Sequence, residues 1–164
     1  MEKKYILTDD VIDFDGHTLH RIKAVRDFDC VKAGDLGGFI ESEENLDHDG
    51  DAVVSGAALV TDCARVSGDA VVTGDAVVSG DAVVTGDAVV TGAADFAVIS
   101  GFGRVFRTTT FFRCKDNLVR CQCGCFYGTV DEFRSKVRET HGNSKYAKEY
   151  LMIADLMELH FKED

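Results

Sequence analysis

The chain has 164 residues and a formal net charge of −11, with 29 acidic side chains against 18 lysines and arginines. So acidic a surface disfavours binding to nucleic acid or an anionic membrane, both of which recruit cationic faces. No long apolar run is present, so neither a membrane span nor an export signal is expected, and six cysteines in that setting point to a reducing, cytoplasmic compartment.

Residues 5–28 read as β structure. Val11-Ile12-Asp13-Phe14 and Thr18-Leu19-His20-Arg21-Ile22 flank Asp15-Gly16, and Asp-Gly between β-rich runs signals a tight hairpin. Glycines then cluster in Gly34-Asp35-Leu36-Gly37-Gly38-Phe39-Ile40.

From 51 to 92 one six-residue phrase is spoken seven times: DAVVSG, AALVTD, CARVSG, DAVVTG, DAVVSG, DAVVTG, DAVVTG. The period is too short for helical repeats and suits one short strand plus one corner per phrase. Val54, Val60, Val66, Val72, Val78, Val84 and Val90 share one phase and are expected inside, because strand side chains alternate faces. The alanines two residues earlier, from Ala52 to Ala88, can also face the axis, and Gly two places after most valines permits a sharp corner. Counting back in sixes from Ala52 reaches Leu46 and Ile40, and counting back eighteen from Val54 reaches Leu36. The repeat is therefore expected to begin near Leu36 with a degenerate turn whose larger residues cap the axis, and the acidic run 41–51 forms its exposed side.

Aligned on the valine, Val-Thr-Gly-Asp-Ala-Val resembles the hexapeptide repeat of the left-handed β-helix family. Ser or Thr follows the aliphatic residue here, where that family more usually has Gly, Ala or an acid. The resemblance implies a triangular prism with three hexads per coil, although the repeat alone does not set the hand. Seven hexads make a little over two coils, so caps are needed at both ends and homo-oligomerisation is expected.

After Gly92 the register slips: Ala94 keeps the small-residue phase, but Ala97-Val98-Ile99-Ser100-Gly101 is displaced by three. Phe96, Phe102 and Phe106 read as caps on the end of the stack. Thr110 to Cys114 and Leu118 to Cys121, joined by Lys115-Asp116-Asn117, predict a second hairpin. Thr129 and Glu132 form a capping box for a helix ending near Gly142. A second helix runs from about Ser144 to Phe161 with Tyr146, Tyr150, Ile153 and Met157 as its apolar stripe. The predicted fold is mainly β: an N-terminal hairpin cap (1–33), a short left-handed parallel β-helix (34–107) and a C-terminal ββαα unit (108–164).

This layout resembles a group of small phage and prophage proteins of unassigned biochemistry. The residues that carry the likeness are the 34–40 glycine cluster, the Ala-x-Val-x-Gly repeats, Thr108-Thr109-Thr110-Phe111-Phe112, Cys123-Gly124-Cys125-Phe126 and Lys145-Tyr146-Ala147-Lys148-Glu149-Tyr150.

Several residue sets could carry chemistry. Cys121, Cys123 and Cys125 alternate along a strand, and with His141 or Cys114 they offer thiolate and imidazole ligands for zinc if Gly124 bends the strand. The competing account is that they are small apolar thiols packed under the tail helices. Asp51, Asp69 and Asp87 fall on one edge at intervals of eighteen, where like charges about 4.8 Å apart repel by about 1 kcal/mol per pair in water. Turn chemistry alone explains an Asp after Gly. The functional alternatives are an acidic edge that meets a basic protein, or carboxylates that share calcium. Ser55, Thr61, Ser67, Thr73, Ser79, Thr85 and Thr91 are expected to face outward. Near the end of the repeat Arg104, Arg107, Arg113 and Lys115 could hold a small signalling nucleotide in a cleft between subunits.

Hexapeptide-repeat acyltransferases place a catalytic His on a coil or loop, and gamma-class carbonic anhydrases gather three metal-binding His. Here no His lies between Asp51 and Phe106, and His48 stands in an acidic loop. The absent catalytic set makes the expected function non-enzymatic, with no cofactor, and the resemblance in layout together with the acidic surface implies a phage accessory protein inhibiting a host antiviral defence factor. It would act either by blocking a protein through its acidic surface or by sequestering a signalling nucleotide. An acyltransferase-like enzyme is the alternative, with His48 and His141 as the residues to test.

Overall fold

The computed structural model describes residues 2–163, so Met1 and Asp164 lie outside the description. Strands β1 (Tyr5–Phe14) and β2 (His17–Ala24) form the antiparallel hairpin announced by Asp15-Gly16. Both turn residues have positive φ, 48° and 84°, the pair of conformations a type I′ turn needs. Strand β3 (Leu36–Ile40) lies antiparallel beside β2.

Seven two-residue strands follow, one per phrase: β4 (Val53–Val54), β5 (Leu59–Val60), β6 (Arg65–Val66), β7 (Val71–Val72), β8 (Val77–Val78), β9 (Val83–Val84) and β10 (Val89–Val90). Their partners are parallel and eighteen residues apart: Val53 with Val71 and Val71 with Val89, Leu59 with Val77, Arg65 with Val83. Hydroxyls follow the same interval, Ser55 Oγ donating to Thr73 Oγ1 at 3.0 Å and Ser67 Oγ to Thr85 Oγ1 at 2.9 Å. Thr61 is buried, unlike the outward row expected for it.

The expected left-handed β-helix of the hexapeptide-repeat class is corrected. The described strands fall into separate sheets of five, three, four and two strands, and none of them curls round or closes on itself as that class requires. Two-residue strands give the pairings between phrases few ladder bonds, and the largest sheet, β1-β2-β3-β5-β8, is mixed because the antiparallel hairpin joins it. The molecule is a mixed-sheet β domain with a two-helix C-terminal element. The family resemblance drawn from the repeat, and with it the phage-protein likeness drawn from the layout, falls with that correction.

The phase of the small and aliphatic residues sets the core. Every valine from Val54 to Val90 and every alanine from Ala52 to Ala88 at the predicted positions is buried in one cluster with Ile40 and Leu46. The caps differ from those expected. Leu36 is 56% exposed, and Tyr5 and Ile22 of the hairpin cover the N-terminal end in its place. Phe102 and Phe106 are 43% and 72% exposed; Phe112 and Cys114 close the other end, with Phe96 packed partly against it. At Gly68, φ is +66° and an added Cβ would lie 2.9 Å from the Gly86 nitrogen, so the stacked corners leave no room for a side chain. The phrase that ends in Asp places Asp62 in the same left-handed region, φ 56°.

The C-terminal sheet is antiparallel in the order β11 (Phe96–Phe102), β12 (Arg107–Arg113), β13 (Val119–Cys123) and β14 (Phe126–Thr129). The predicted hairpin is β12–β13; β11 and β14 are additional to the expected ββαα unit. Helix α1 (Val130–His141) starts on the capping box: Thr129 Oγ1 accepts the Glu132 N–H at 3.2 Å, and Glu132 Oε2 accepts the Thr129 N–H at 2.8 Å. Gly142, at φ 57°, ends it. Helix α2 (Lys145–His160) is capped by Ser144 and buries Tyr150, Ile153 and Met157 against the sheet and α1. No helix among the described residues is long and apolar enough to cross a membrane.

Candidate anion-binding cleft

A cleft of about 370 Å³ opens where the β11–β12 loop, the β13–β14 turn and the two helices meet. Its floor is aromatic. Phe126 of β14, Phe133 of α1 and Tyr150 of α2 line it, and Phe133 meets Tyr150 edge-to-face with ring centroids 5.6 Å apart. Phe133 and Val137 lie on the buried face of α1, so the fold that packs the helix also builds the floor.

The rim is cationic. Arg104 and Arg107 stand on one side and Lys136 of α1 on the other, His141 lines the cleft as well, and among the described residues no Asp or Glu does. In a chain of net charge −11 that separation is a strong local bias. Lys136 reaches Glu139 at 3.5 Å, while Arg104 and Arg107 make no ion pair among the described residues. Both guanidiniums therefore keep their donors for a ligand.

Two glycines make the approach possible. Gly124, at φ +59°, lies directly against the Arg107 guanidinium, where any Cβ would collide with it. Gly103, at φ +77°, lies under the Tyr150 hydroxyl, and its N–H donates to Glu149 Oε2 at 2.9 Å. The loop carrying Arg104 is thereby tied to α2. Burial, reinforced by the neighbouring Cys123, pushes the Tyr150 hydroxyl up to about 12, which keeps it a neutral donor at pH 7.

The structure divides the sequence-predicted residues. Arg104, Arg107, Cys123, Cys125 and His141 come together in the cleft. Arg113 does not: it pairs with Asp95 at 3.4 Å, donates to the Phe161 carbonyl at 2.8 Å and stacks over that ring. Lys115 is exposed and away from the cleft, its backbone N–H bound to the Asp87 carbonyl at 3.0 Å. The zinc set is not gathered. Cys121 faces the apolar core under the helices, where burial pushes its thiol up, and Cys123 Sγ accepts the Thr109 hydroxyl at 3.1 Å while Cys125 sits exposed beyond Gly124. Among the described residues the three side chains that bring metal-type donors within 4.8 Å of one another are His17, Glu41 and Asp62.

Asp51, Asp69 and Asp87 each precede β4, β7 and β10 by two residues, so the pairing places them along one edge. Asp51 and Asp69 are exposed. Asp87 is partly neutralised: Tyr127 donates to it at 3.2 Å, and Arg120 forms an ion pair with it at 3.7 Å. His48, a residue singled out for acyl transfer, is packed beneath the hairpin, stacked on Tyr5 at 4.3 Å between ring centroids and accepting the Lys4 N–H at 3.3 Å.

Sequence reasoning did not single out Lys136, Phe126 or Phe133 as site residues. The signal for Lys136 was its place beside Phe133 and Val137 on α1, at the border of the apolar face. Neither protein-family models nor curated proteins give a match to this chain.

Proposed function

We propose that the chain is a binding protein whose cleft takes a small anion bearing a flat ring, a signalling nucleotide of about mononucleotide size. By holding that nucleotide it lowers the free concentration of the signal and so inhibits a factor that responds to it. One observation carries this reading: Arg104, Arg107 and Lys136 face an aromatic floor, and among the described residues neither arginine has an ion pair and no carboxylate joins the lining. Arginine forks match phosphate oxygens two at a time, and an aromatic floor accepts a base face-on or edge-on. The volume of about 370 Å³ lies at the small end of ligand sites. The acidic edge supports protein blocking less well, because Arg120 and Tyr127 already engage Asp87. Six free cysteines support a cytoplasmic setting.

Titration calorimetry of the purified chain with a panel of nucleoside monophosphates, cyclic mononucleotides and cyclic dinucleotides tests this. Saturable one-to-one binding by a panel member, weakened at least tenfold in Arg107→Ala, is the expected result. Absence of binding across the panel at millimolar ligand, or equal binding by Arg107→Ala, overturns it.

A further inference from the structure

Away from the cleft, three segments meet at one imidazole. His17 opens β2, Glu41 follows β3 and Asp62 occupies the corner after β5. The His17 Nδ1 lies 3.0 Å from Glu41 Oε1, and its Nε2 lies 3.3 Å from Asp62 Oδ1, so the two acids face opposite nitrogens of the ring. Each carboxylate has its other oxygen committed to the backbone. Glu41 Oε2 accepts the Asp62 N–H at 2.7 Å, and Asp62 Oδ2 accepts the Gly80 N–H at 3.0 Å. The acids are thereby fixed to the repeat, and the ring comes to them from the tip of the hairpin. The β2–β3 ladder ends with His20 opposite Ile40. Among the described residues, the side-chain hydrogen bonds and ion pairs that run from residues 13–18 to the rest of the chain are those of His17.

A protonated ring satisfies both acids at once, because imidazolium donates from both nitrogens. Neutral imidazole has one N–H and one lone pair, so one carboxylate then faces a lone pair whichever tautomer forms. Losing the proton also leaves two carboxylate charges uncompensated in a chain of net charge −11. The geometry points to a proton-operated latch: protonated His17 ties the hairpin tip to Glu41 and Asp62, and loss of that proton releases the tip while the valine core stays folded.

Among the described residues the charged groups acting on the ring are all acids: Glu41 at the end of β3, Asp62 at the repeat corner and Asp15 in the β1–β2 turn. The Glu41 hydrogen bond raises the ring above its ordinary range against a partial desolvation, and the charges of Glu41, Asp62 and Asp15 add to the rise. An unfolded histidine releases its proton near pH 6.5 (about). Between that value and the folded one the folded chain holds the extra proton. The latch is therefore at full strength below about pH 6.5 and is lost as pH rises through the folded value. On the acid side, the hydrogen bond from His17 holds Glu41 below the ordinary carboxylate range, and the Gly80 N–H does the same for Asp62. The latch is lost again only as pH falls through those lowered values. All three side chains are partly exposed, so water takes over the freed groups when the tip lifts.

The test uses the full chain. NMR of the imidazole nitrogens, titrated from about pH 5 to about pH 9, follows each histidine separately. Amide exchange, normalised to the intrinsic rate at each pH, reads the tip through residues 13–18, Asp62 and Gly80. The expected results are a His17 midpoint above about 6.5 and a loss of protection at the reporters of at least about threefold across that midpoint, with the valine-core amides unchanged. Glu41→Gln and Asp62→Asn should each lower the midpoint, and His17→Ala should show the low protection at every pH. A His17 midpoint at or below about 6.5 overturns the latch, as does protection that stays constant through the midpoint. An equal pH response in His17→Ala also overturns it, by assigning the response to another group. Titration of the unaltered chain reads the first two outcomes even if a variant fails to fold.

Discussion

Phe111 and Phe112 are neighbours in β12, yet their buried rings belong to two different cores. Phe112 closes the end of the valine and alanine stack, and Phe111 packs with Phe133 under the helices, ring centroids 5.8 Å apart. Strand alternation makes this possible, and it turns β12 into a wall shared by both halves. Phe112→Ala and Phe111→Ala should each cost about 3–5 kcal/mol in denaturant unfolding. Hydrogen exchange separates them: the first should deprotect amides of the last phrases, the second those of α1 and α2.

Lys4 gives the stability a pH signature. Its ammonium is buried and donates to the Ala52 carbonyl at 2.9 Å and the Gly50 carbonyl at 3.3 Å. Burial pushes it down to about 8, with Asp47 partly opposing. An unfolded lysine holds its proton to about 10.4. Between those values the unfolded chain binds more protons, so stability rises with pH from about 8 towards 10, by at most about 1.4 kcal/mol per pH unit. Tyr5, raised by burial, works in the opposite direction above pH 10. Denaturation midpoints across pH 7–10 should show the rise in the natural chain and lose it in Lys4→Met.

The corner glycines predict a backbone effect. Gly68→Ala forces a Cβ into a left-handed conformation and against the Gly86 backbone. A loss of about 1–3 kcal/mol is expected. Gly16→Ala, whose Cβ meets nothing within 4 Å, carries only the conformational part and should cost less. Thermal unfolding of both variants makes the comparison.

In the cleft, Lys136→Ala should weaken nucleotide binding about three- to tenfold and flatten its dependence on salt, because one ligand-facing charge is lost. Phe126→Leu should weaken binding with the salt dependence unchanged. Titrations at two ionic strengths distinguish the two effects.

What was legible in the sequence was local. Asp15-Gly16, the Thr129–Glu132 box and the valine phase each follow from chemistry within a few residues, and each appears as expected. The class of fold did not follow, because it depends on where the hairpin docks and how the sheets divide, and six-residue spelling contains neither. Leu36, Phe102 and Phe106 were expected as caps by counting and by size; Tyr5 and Phe112 arrive from segments outside the count. The cleft was half legible. Arg104 and Arg107 showed as cations near the end of the repeat, but only tertiary packing brings Phe133, Lys136 and Tyr150 opposite them. Asp62, the one phrase ending that replaces glycine with a carboxylate, was visible as a spelling change, while its partner His17 lies 45 positions away.

Because Val53 pairs with Val71 and Val71 with Val89, the stretch is spelled in sixes and assembled in eighteens. Near-identical phrases invite unequal recombination of the coding sequence. Gain or loss of one phrase reassigns every later valine to a neighbouring sheet and re-aims the C-terminal half, which is anchored where the Lys115 amide meets the Asp87 carbonyl at 3.0 Å. Gain or loss of three phrases returns every strand to its own sheet. Length variants of this chain should therefore survive in increments of eighteen residues, and intermediate lengths should be purged.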